Sequence, residues 1–123
     1  MHQLTLASES PRRKHLLLKA GYSFETFPVK VSEHIEKNLR EKLSVDEQIQ
    51  HLACKKGEAA FTAYKPLKSQ NFLILSADTM VTLDNVNLGK PETSTEACLF
   101  LRQLSGRSHL VKTAICLIEG KWT

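Results

Sequence analysis

The stretch Phe72-Leu73-Ile74-Leu75-Ser76-Ala77-Asp78 decides how this chain folds. Its run of apolar and small residues, 72–77, predicts a buried β-strand. Asp78 follows at or just past the end of that strand, which is where α/β sheets place their ligand sites. Residues 79–83 are also predicted as strand, up to a turn at 84–87, so Asp78 could instead be a turn aspartate that bonds local backbone. Both interpretations stay open at this point.

Helix and strand patterns alternate on both sides of this stretch. Serine or threonine N-caps, followed by proline or glutamate, mark three helix starts, and glycine or proline marks the ends. Residues 30–43 are charged and weakly periodic, which predicts a surface loop with room for one helical turn. The predicted helices begin after Ser10, Ser44 and Thr93 and end at Gly21, Pro66 and Gly106; the other predicted strands are 3–7, 22–26 and 110–118.

This alternation predicts an α/β layered domain across residues 1–123, with a mixed β-sheet flanked by helices. Glu119-Gly120-Lys121 has the composition of a hairpin turn, and Trp122 that of the start of a partner strand. Because the sequence ends at Thr123, we expect the sheet to be incomplete at its C-terminal end.

The composition is that of an ordinary folded domain. Of the 123 residues, 41% are hydrophobic and 24% are charged, which excludes disordered and collagen-like classes. No apolar run approaches the roughly 20 residues that a membrane-spanning helix needs, and the N-terminus has no secretory pattern. We therefore expect a soluble cytoplasmic protein without a membrane partner.

The net charge and the spacing of the cysteines and histidines indicate which partners and which kinds of site the chain can have. Seventeen Lys and Arg against thirteen Asp and Glu leave a net charge of +4, which favours an anionic partner. The three cysteines have no C-x-x-C spacing, so we expect reduced thiols in the core rather than a disulfide scaffold or a zinc site. The five histidines have no metal-ligand spacing and no evident nucleophile partner, which leaves a zinc centre or a Ser-His-Asp triad without support.

The turn at Ser8-Glu9-Ser10-Pro11 leads into a helix start that carries Arg12, Arg13 and Lys14. A helix N-terminus is already positive, so cations there cost stability unless an anion binds beside them. Free amides, two hydroxyls and two guanidinium groups together form a candidate phosphate site. The alternative is a capped helix whose basic residues face water, and the residues alone do not separate the two.

Three further positions are candidates for binding a phosphate or the divalent cation that accompanies it. Lys56 falls on the apolar stripe of its helix, where it either extends from the edge of the core or points into an anion-binding cleft. Lys90 stands in a rigid Gly-Lys-Pro turn. Glu33 or Glu36, in the charged loop, could hold a divalent cation together with Asp78, or each could be a solvated surface charge.

Taken in order, these segments resemble the motifs of Maf-type nucleoside triphosphate pyrophosphatases. They are Ser8-Glu9-Ser10-Pro11-Arg12-Arg13, Glu33, Leu52-Ala53-Cys54-Lys55-Lys56, Ala77-Asp78-Thr79, Gly89-Lys90-Pro91 and Leu104-Ser105-Gly106-Arg107-Ser108-His109. The resemblance covers essentially the whole chain and is specific as a set. It implies the Maf/ITPase-like layered fold and hydrolysis of a nucleoside triphosphate to the monophosphate and pyrophosphate. The S-P-R-R form with Asp78-Thr79 resembles the subgroup that acts on dTTP, UTP and modified pyrimidine triphosphates, a function in the removal of non-standard nucleotides.

The resemblance also implies a role for each matching residue. Asp78 would be the proton acceptor, and Glu33 and Asp78 would bind Mg²⁺ or Mn²⁺, with Glu36 still possible in place of Glu33. Lys56 and Lys90 would be catalytic together with Asp78 and Glu33, and with Arg13 they would neutralise phosphate charge. The other residues would bind substrate: Arg13, Ser8 and Ser10 at the phosphates, and Arg12 and Thr79 by helping to select the base. The family implies a homodimer.

Two alternative functions remain open beside the pyrophosphatase. The sequence lacks the glycine-rich C-terminal segment with which such proteins face the nucleotide, so the chain could be a nucleotide-binding remnant without turnover. A nucleic-acid-binding module is suggested by the basic isoelectric point of about 9.1. It ranks lowest, because the basic residues are spread among acids and no aromatic residues are interleaved with them. We therefore expect no nucleic-acid partner.

Overall fold

The computed structural model describes residues 3–32, 34–65, 71–89 and 91–121. Helices and strands alternate through these ranges, which confirms the α/β class. No helix among the described residues is both long and apolar enough to cross a membrane. In chain order the elements are β1 (Gln3–Leu6), α1 (Pro11–Lys19), β2 (Glu25–Thr26), α2 (Lys37–Lys42), α3 (Val45–Tyr64), β3 (Phe72–Leu83), β4 (Val86–Leu88), α4 (Ser94–Leu104) and β5 (Leu110–Gly120).

The strand β3 is the centre of a five-stranded mixed sheet. β1 runs parallel to residues 72–75 of β3, and β4 runs antiparallel to residues 81–83. β5 runs antiparallel to residues 72–82. Because β5 occupies one edge of β3 over this length, β1 and β4 must share the other edge. β2 adds in parallel to the outer side of β1.

A gap separates β1 from β4 along the edge of β3 that they share. Pairing with β1 ends at Leu75 and pairing with β4 begins at Val81, so no strand in the described ranges pairs with this edge in between. Asp78 and Thr79 lie in the gap. The expectation that Asp78 ends its strand is therefore wrong, because Asp78 lies inside the twelve-residue strand β3, which runs on to Leu83. The gap opens instead where the parallel strand β1 ends, which is the position that α/β sheets use for ligands.

The helix α3 packs against β3 and β5 and forms the main core. A capping box fixes its start, since the Ser44 hydroxyl accepts from the Glu47 amide and the Glu47 carboxylate accepts from the Ser44 amide. Near its end, the Tyr64 ring packs edge-on against Phe72 with 5.0 Å between centroids. The Tyr64 hydroxyl accepts a hydrogen bond from Thr5 at 2.9 Å, so a polar contact as well as apolar burial joins α3 to β1.

Gly57 allows α3 to approach the sheet closely. A Cβ atom at this position would lie 2.7 Å from the Ser76 hydroxyl oxygen and 3.2 Å from the Ile118 Cδ1 atom. The Ser76 hydroxyl is itself buried and donates to the Ala53 carbonyl at 2.7 Å. The closeness of this contact determines how far Lys56, the preceding residue on the helix, can reach toward Asp78.

Several local predictions differ from the structure. The second strand is only Glu25–Thr26, because pairing with β1 is confined to its last two residues. The loop at 30–43 contains a helical segment, as expected, but α2 is six residues long and exceeds a single turn. The turn expected at 119–121 is wrong: β5 runs on through Gly120, which pairs with Phe72 and lies against its ring. The predicted roles of Pro66 and Trp122 fall on residues outside the described ranges.

One face of the β3–β5 pair is apolar and open. The exposed side chains of β5 include Val111, Ile115 and Leu117, with exposed fractions of 64%, 69% and 58%. Their partners on β3 are Val81, Ala77 and Leu75 in the same order.

The expected core placement of the cysteines is incorrect for Cys98, which is exposed on α4, while Cys54 and Cys116 are half-buried.

Candidate active site

The turn between β1 and α1 is built by two serines. Ser10 is the N-cap of α1, and its hydroxyl oxygen accepts from the Arg13 amide at 3.3 Å. The Ser8 hydroxyl accepts from the Ser10 amide at 3.1 Å. Pro11 occupies the first helical turn and contributes no amide hydrogen. Both hydroxyl groups therefore lie at the N-terminal end of α1, where they line a cleft of about 450 Å³.

The two arginines of this turn have different environments. Arg13 is half-buried, and its guanidinium group donates to the Thr79 hydroxyl at 3.1 Å and lies 3.5 Å from the Ser8 hydroxyl. It thereby joins the start of α1 to β3. Arg12 is exposed and lines neither this cleft nor the larger one beside it. The role of Arg12 in selecting a base stays a prediction.

Lys56 and Asp78 form an ion pair with 2.9 Å between the lysine Nζ atom and the Oδ1 atom of the carboxylate. Both groups are withdrawn from water, with 16% of the lysine side chain and 5% of the aspartate side chain exposed. The second carboxylate oxygen, Oδ2, is buried and has no hydrogen-bond partner among the described residues. A buried carboxylate oxygen without a partner is costly, so Oδ2 is a natural acceptor for a water molecule or a cation.

These contacts lie where two clefts adjoin. The smaller cleft is lined by Arg13, Lys30 and Lys56, with Glu9 as an opposing charge. The larger, of about 960 Å³, has Asp78 and Thr79 at its polar end, together with Ser32 and His34. The segment between β4 and α4 adds Gly89, Pro91 and one more carboxylate, Glu92. The rest of its lining is apolar and comes from β3, β4 and α4: Met80, Val81, Leu88, Ala97, Phe100, Leu101 and Leu104.

The structure brings most of the predicted site residues together. Ser8, Ser10, Arg13 and Lys56 line the smaller cleft, and Asp78 and Thr79 line the larger one. Glu33 and Lys90 lie outside the described residues, so their predicted roles are not tested. Glu36 is exposed at the start of α2 and lines neither cleft.

Sequence reasoning missed several residues near the site, including three that line the larger cleft: Ser32, His34 and Glu92. Lys30 lines the smaller cleft but stands in a charged loop with no motif to distinguish it. The Thr113 hydroxyl lies 2.8 Å from the Thr79 hydroxyl, a contact that appears only when the register of β5 on β3 is known. His109 lines a different, smaller cavity beside Asp84. Asp84 is the predicted turn aspartate, with a left-handed φ of 51°.

The residues present fit a divalent cation only in part. Oδ2 of Asp78 is a suitable hard oxygen ligand because it is buried and without a partner in the described structure. Within the same described ranges, no group of three or more His, Cys, Asp or Glu side chains could hold a metal ion. Magnesium is commonly held by one or two carboxylates and substrate phosphates, so a single protein carboxylate is compatible with such a site.

The sequence from residue 3 to residue 123 matches the family described as Maf-like protein. This chain belongs to the Maf family. Among curated members, the dTTP/UTP pyrophosphatase of Bdellovibrio bacteriovorus is 47% identical over 117 residues, which are 95% of this chain and 59% of that protein. The dTTP/UTP pyrophosphatase of Caldicellulosiruptor bescii is 41% identical over 120 residues, 98% of this chain and 58% of that protein.

This Maf chain thus spans somewhat under two thirds of the length of the curated relatives it matches. A solved structure, the nucleoside-triphosphatase / dITP/XTP pyrophosphatase of Mycobacterium abscessus, superposes with a TM-score of 0.41 and 12% identity. That alignment covers 98% of this chain and 70% of the other. The score is too low for a conclusion about the fold, which rests on the family match and on the sheet described above.

Proposed function

We propose that this Maf chain binds a nucleoside triphosphate and, with a divalent cation, hydrolyses it to the monophosphate and pyrophosphate. The substrates proposed are dTTP, UTP and modified pyrimidine triphosphates, by likeness to the relatives named above. The observation that carries the proposal is the convergence of Arg13, Lys56 and Asp78 from three separate elements on adjoining clefts. These are the charges that cleavage of a phosphoanhydride requires.

The smaller cleft supplies groups for phosphate recognition. Arg13 and Lys56 would neutralise phosphate oxygens, and the Ser8 and Ser10 hydroxyl groups at the helix end would donate hydrogen bonds to them. By the family resemblance, Lys90 would add a third cation. Because these donors are held by the fold before substrate arrives, little reorganisation is needed as charge develops on the phosphate oxygens.

Asp78 is proposed as the proton acceptor for the attacking water. Its Oδ1 atom is held by Lys56, which orients the carboxylate and leaves Oδ2 directed to a new partner. Oδ2, with Glu33 by resemblance, would hold Mg²⁺ or Mn²⁺. A divalent cation bound there neutralises phosphate charge and lowers the pKa of a bound water. The homodimer, which rests on the resemblance, and the cytoplasmic location expected from the sequence are also parts of this proposal.

The test is pyrophosphate release from dTTP and UTP in Mg²⁺ or Mn²⁺, comparing the chain with its Asp78→Asn variant. We expect the substitution to lower the rate at least ~100-fold, the usual contribution of general base catalysis. Triphosphate binding, measured by calorimetry, should persist in the variant. An unchanged rate would contradict the role of Asp78.

Asp84→Asn is the matched control. Asp84 is an exposed aspartate in the turn after β3, and its left-handed backbone is one that asparagine accepts readily. We expect this variant to release pyrophosphate at the parental rate. Should the parental chain bind triphosphate but release no pyrophosphate, the result would favour the remnant without turnover. Failure to bind any triphosphate would contradict the proposal as a whole.

A further inference from the structure

Thr113 interrupts an aliphatic face of the sheet at one particular position. The residues that alternate with it on the exposed side of β5 are Val111, Ile115 and Leu117. Each pairs with an aliphatic residue of β3, whereas Thr113 pairs with Thr79. A hydroxyl group thus stands on this face opposite the threonine that contacts Arg13.

The three side chains form a continuous chain of hydrogen bonds. The two threonine hydroxyl oxygens are 2.8 Å apart, and either could be the donor. The Arg13 Nη2 atom lies 3.1 Å from the same Thr79 oxygen. Because a guanidinium group can only donate, the Thr79 oxygen accepts from Arg13.

The hydrogen-bonding capacity of Thr79 then depends on Thr113. A hydroxyl group has one hydrogen and two lone pairs. If Thr113 donates to the second lone pair, the Thr79 hydrogen remains available to the larger cleft, which Thr79 lines. If Thr79 donates to Thr113 instead, its hydrogen is used within the sheet and cannot reach a ligand.

We propose that Thr113 is a positioning residue that donates to Thr79 and, through it, fixes Arg13. In this arrangement the Thr79 hydrogen faces the cleft and can bond an oxygen acceptor of the nucleotide. The identity of that ligand rests on the proposed function. The fixing of Arg13 does not, because it concerns the ligand-free protein.

The first test needs no nucleotide. Phenylglyoxal modifies accessible arginine side chains, and peptide mass spectrometry reports the rate at Arg13. In Thr113→Val, which keeps the β-branched shape, we expect Arg13 to react about fivefold faster, as the loss of one neutral hydrogen bond would produce. Thr113→Ser, which keeps the hydroxyl group, should react at the parental rate. Equal Arg13 rates in the Val and Ser variants would overturn the proposal.

Thr79→Val provides an independent variant for the same measurement. It removes the contact that Thr113 is proposed to support, so Arg13 should react as fast as in Thr113→Val. Combining the two substitutions should add nothing further, since they interrupt one chain of contacts. Additive effects on the Arg13 rate would show that Thr113 acts by another route and would overturn the proposal.

The second test measures binding of dTTP by calorimetry. We expect Thr113→Val to raise the dissociation constant about fivefold or more, again as for one hydrogen bond, and Thr113→Ser to restore it. If the role of Thr113 were purely structural, Thr113→Val would change the melting temperature, and Thr113→Ser would not restore the dissociation constant for dTTP. If the parental chain binds no triphosphate, the proposed function fails, while the Arg13 rates still decide the role of Thr113.

Discussion

The three thiols of this protein differ in their exposure to solvent. Cys98 is exposed on α4, whereas Cys54 and Cys116 are half-buried where α3 meets β5. Burial, followed by the hydrogen bond with the neighbouring Cys54 thiol, raises the pKa of Cys116 from 9.0 to about 11. Its thiol therefore stays neutral at physiological pH, and neutral thiols are poor nucleophiles.

This difference predicts an order of alkylation. With iodoacetamide at about pH 8, we expect Cys98 to be labelled first and Cys116 last, as followed by peptide mass spectrometry. In urea all three should react at similar rates. A Cys116 that reacts as fast as Cys98 in the folded protein would contradict the burial described.

The raised pKa of Cys116 also determines how the stability of the fold depends on pH. A group that the fold keeps neutral contributes stability below its ordinary pKa, and this contribution is lost as the pH rises through the folded value. For Cys116 the window is between 9.0 and about 11. Below it, this thiol should leave the free energy of unfolding independent of pH.

At the scale of elements, the contact between α3 and the sheet controls the geometry of the site. Gly57 faces the buried Ser76 hydroxyl, which cannot turn away without losing its bond to the Ala53 carbonyl. Lys56 precedes this glycine and pairs with Asp78 on β3. The contact of Gly57 with Ser76 thus sets the distance between α3 and the sheet at a position next to the ion pair of Lys56 and Asp78.

Gly57→Ala should therefore destabilise the protein although alanine favours helix. Crowding against a packed sheet costs ~1–3 kcal/mol, against a gain of ~1 kcal/mol in helix propensity. We expect a net decrease in the free energy of unfolding, measured by urea titration. The double variant Gly57→Ala/Ser76→Ala should lose less than the sum of the single losses, because it removes the closest contact. A more stable Gly57→Ala protein would refute the close approach.

At the scale of the whole molecule, the open apolar face of β5 is the main feature that the fold leaves uncovered. Three aliphatic side chains on this face are at least 58% exposed: Val111, Ile115 and Leu117. In the part of the chain that the structure describes, β5 also has only β3 as a partner. An apolar face next to an open strand edge promotes association between molecules.

We accordingly expect the chain to self-associate as its concentration rises, as measured by sedimentation velocity. Ile115→Lys places a charge on the most exposed of these side chains, at 69%, and should shift the distribution toward monomer. Glu119→Lys is the control, since Glu119 alternates with these residues at the other end of the strand but adds no apolar surface. Equal association of the parental chain and Ile115→Lys would contradict the role of this face.

Much of this organisation follows from the sequence because it depends on neighbours along the chain. Ser10 and Ser44 mark helix starts, since a serine cap bonds an amide three residues away. The stretch that ends at Ala77 is a strand, as its run of apolar and small residues predicts. The residue types of a phosphate site and a nearby carboxylate are likewise visible in short motifs.

The tertiary structure decided what depends on distant pairing. Arg12 and Arg13 are chemically identical neighbours, and only the position of β3 shows that Arg13 reaches Thr79. The place of Asp78 in a gap of the sheet, and the contact of Thr79 with Thr113, depend on the register of β3 with three other strands. Register arises from the packing of whole elements, and no local pattern around these residues specifies it.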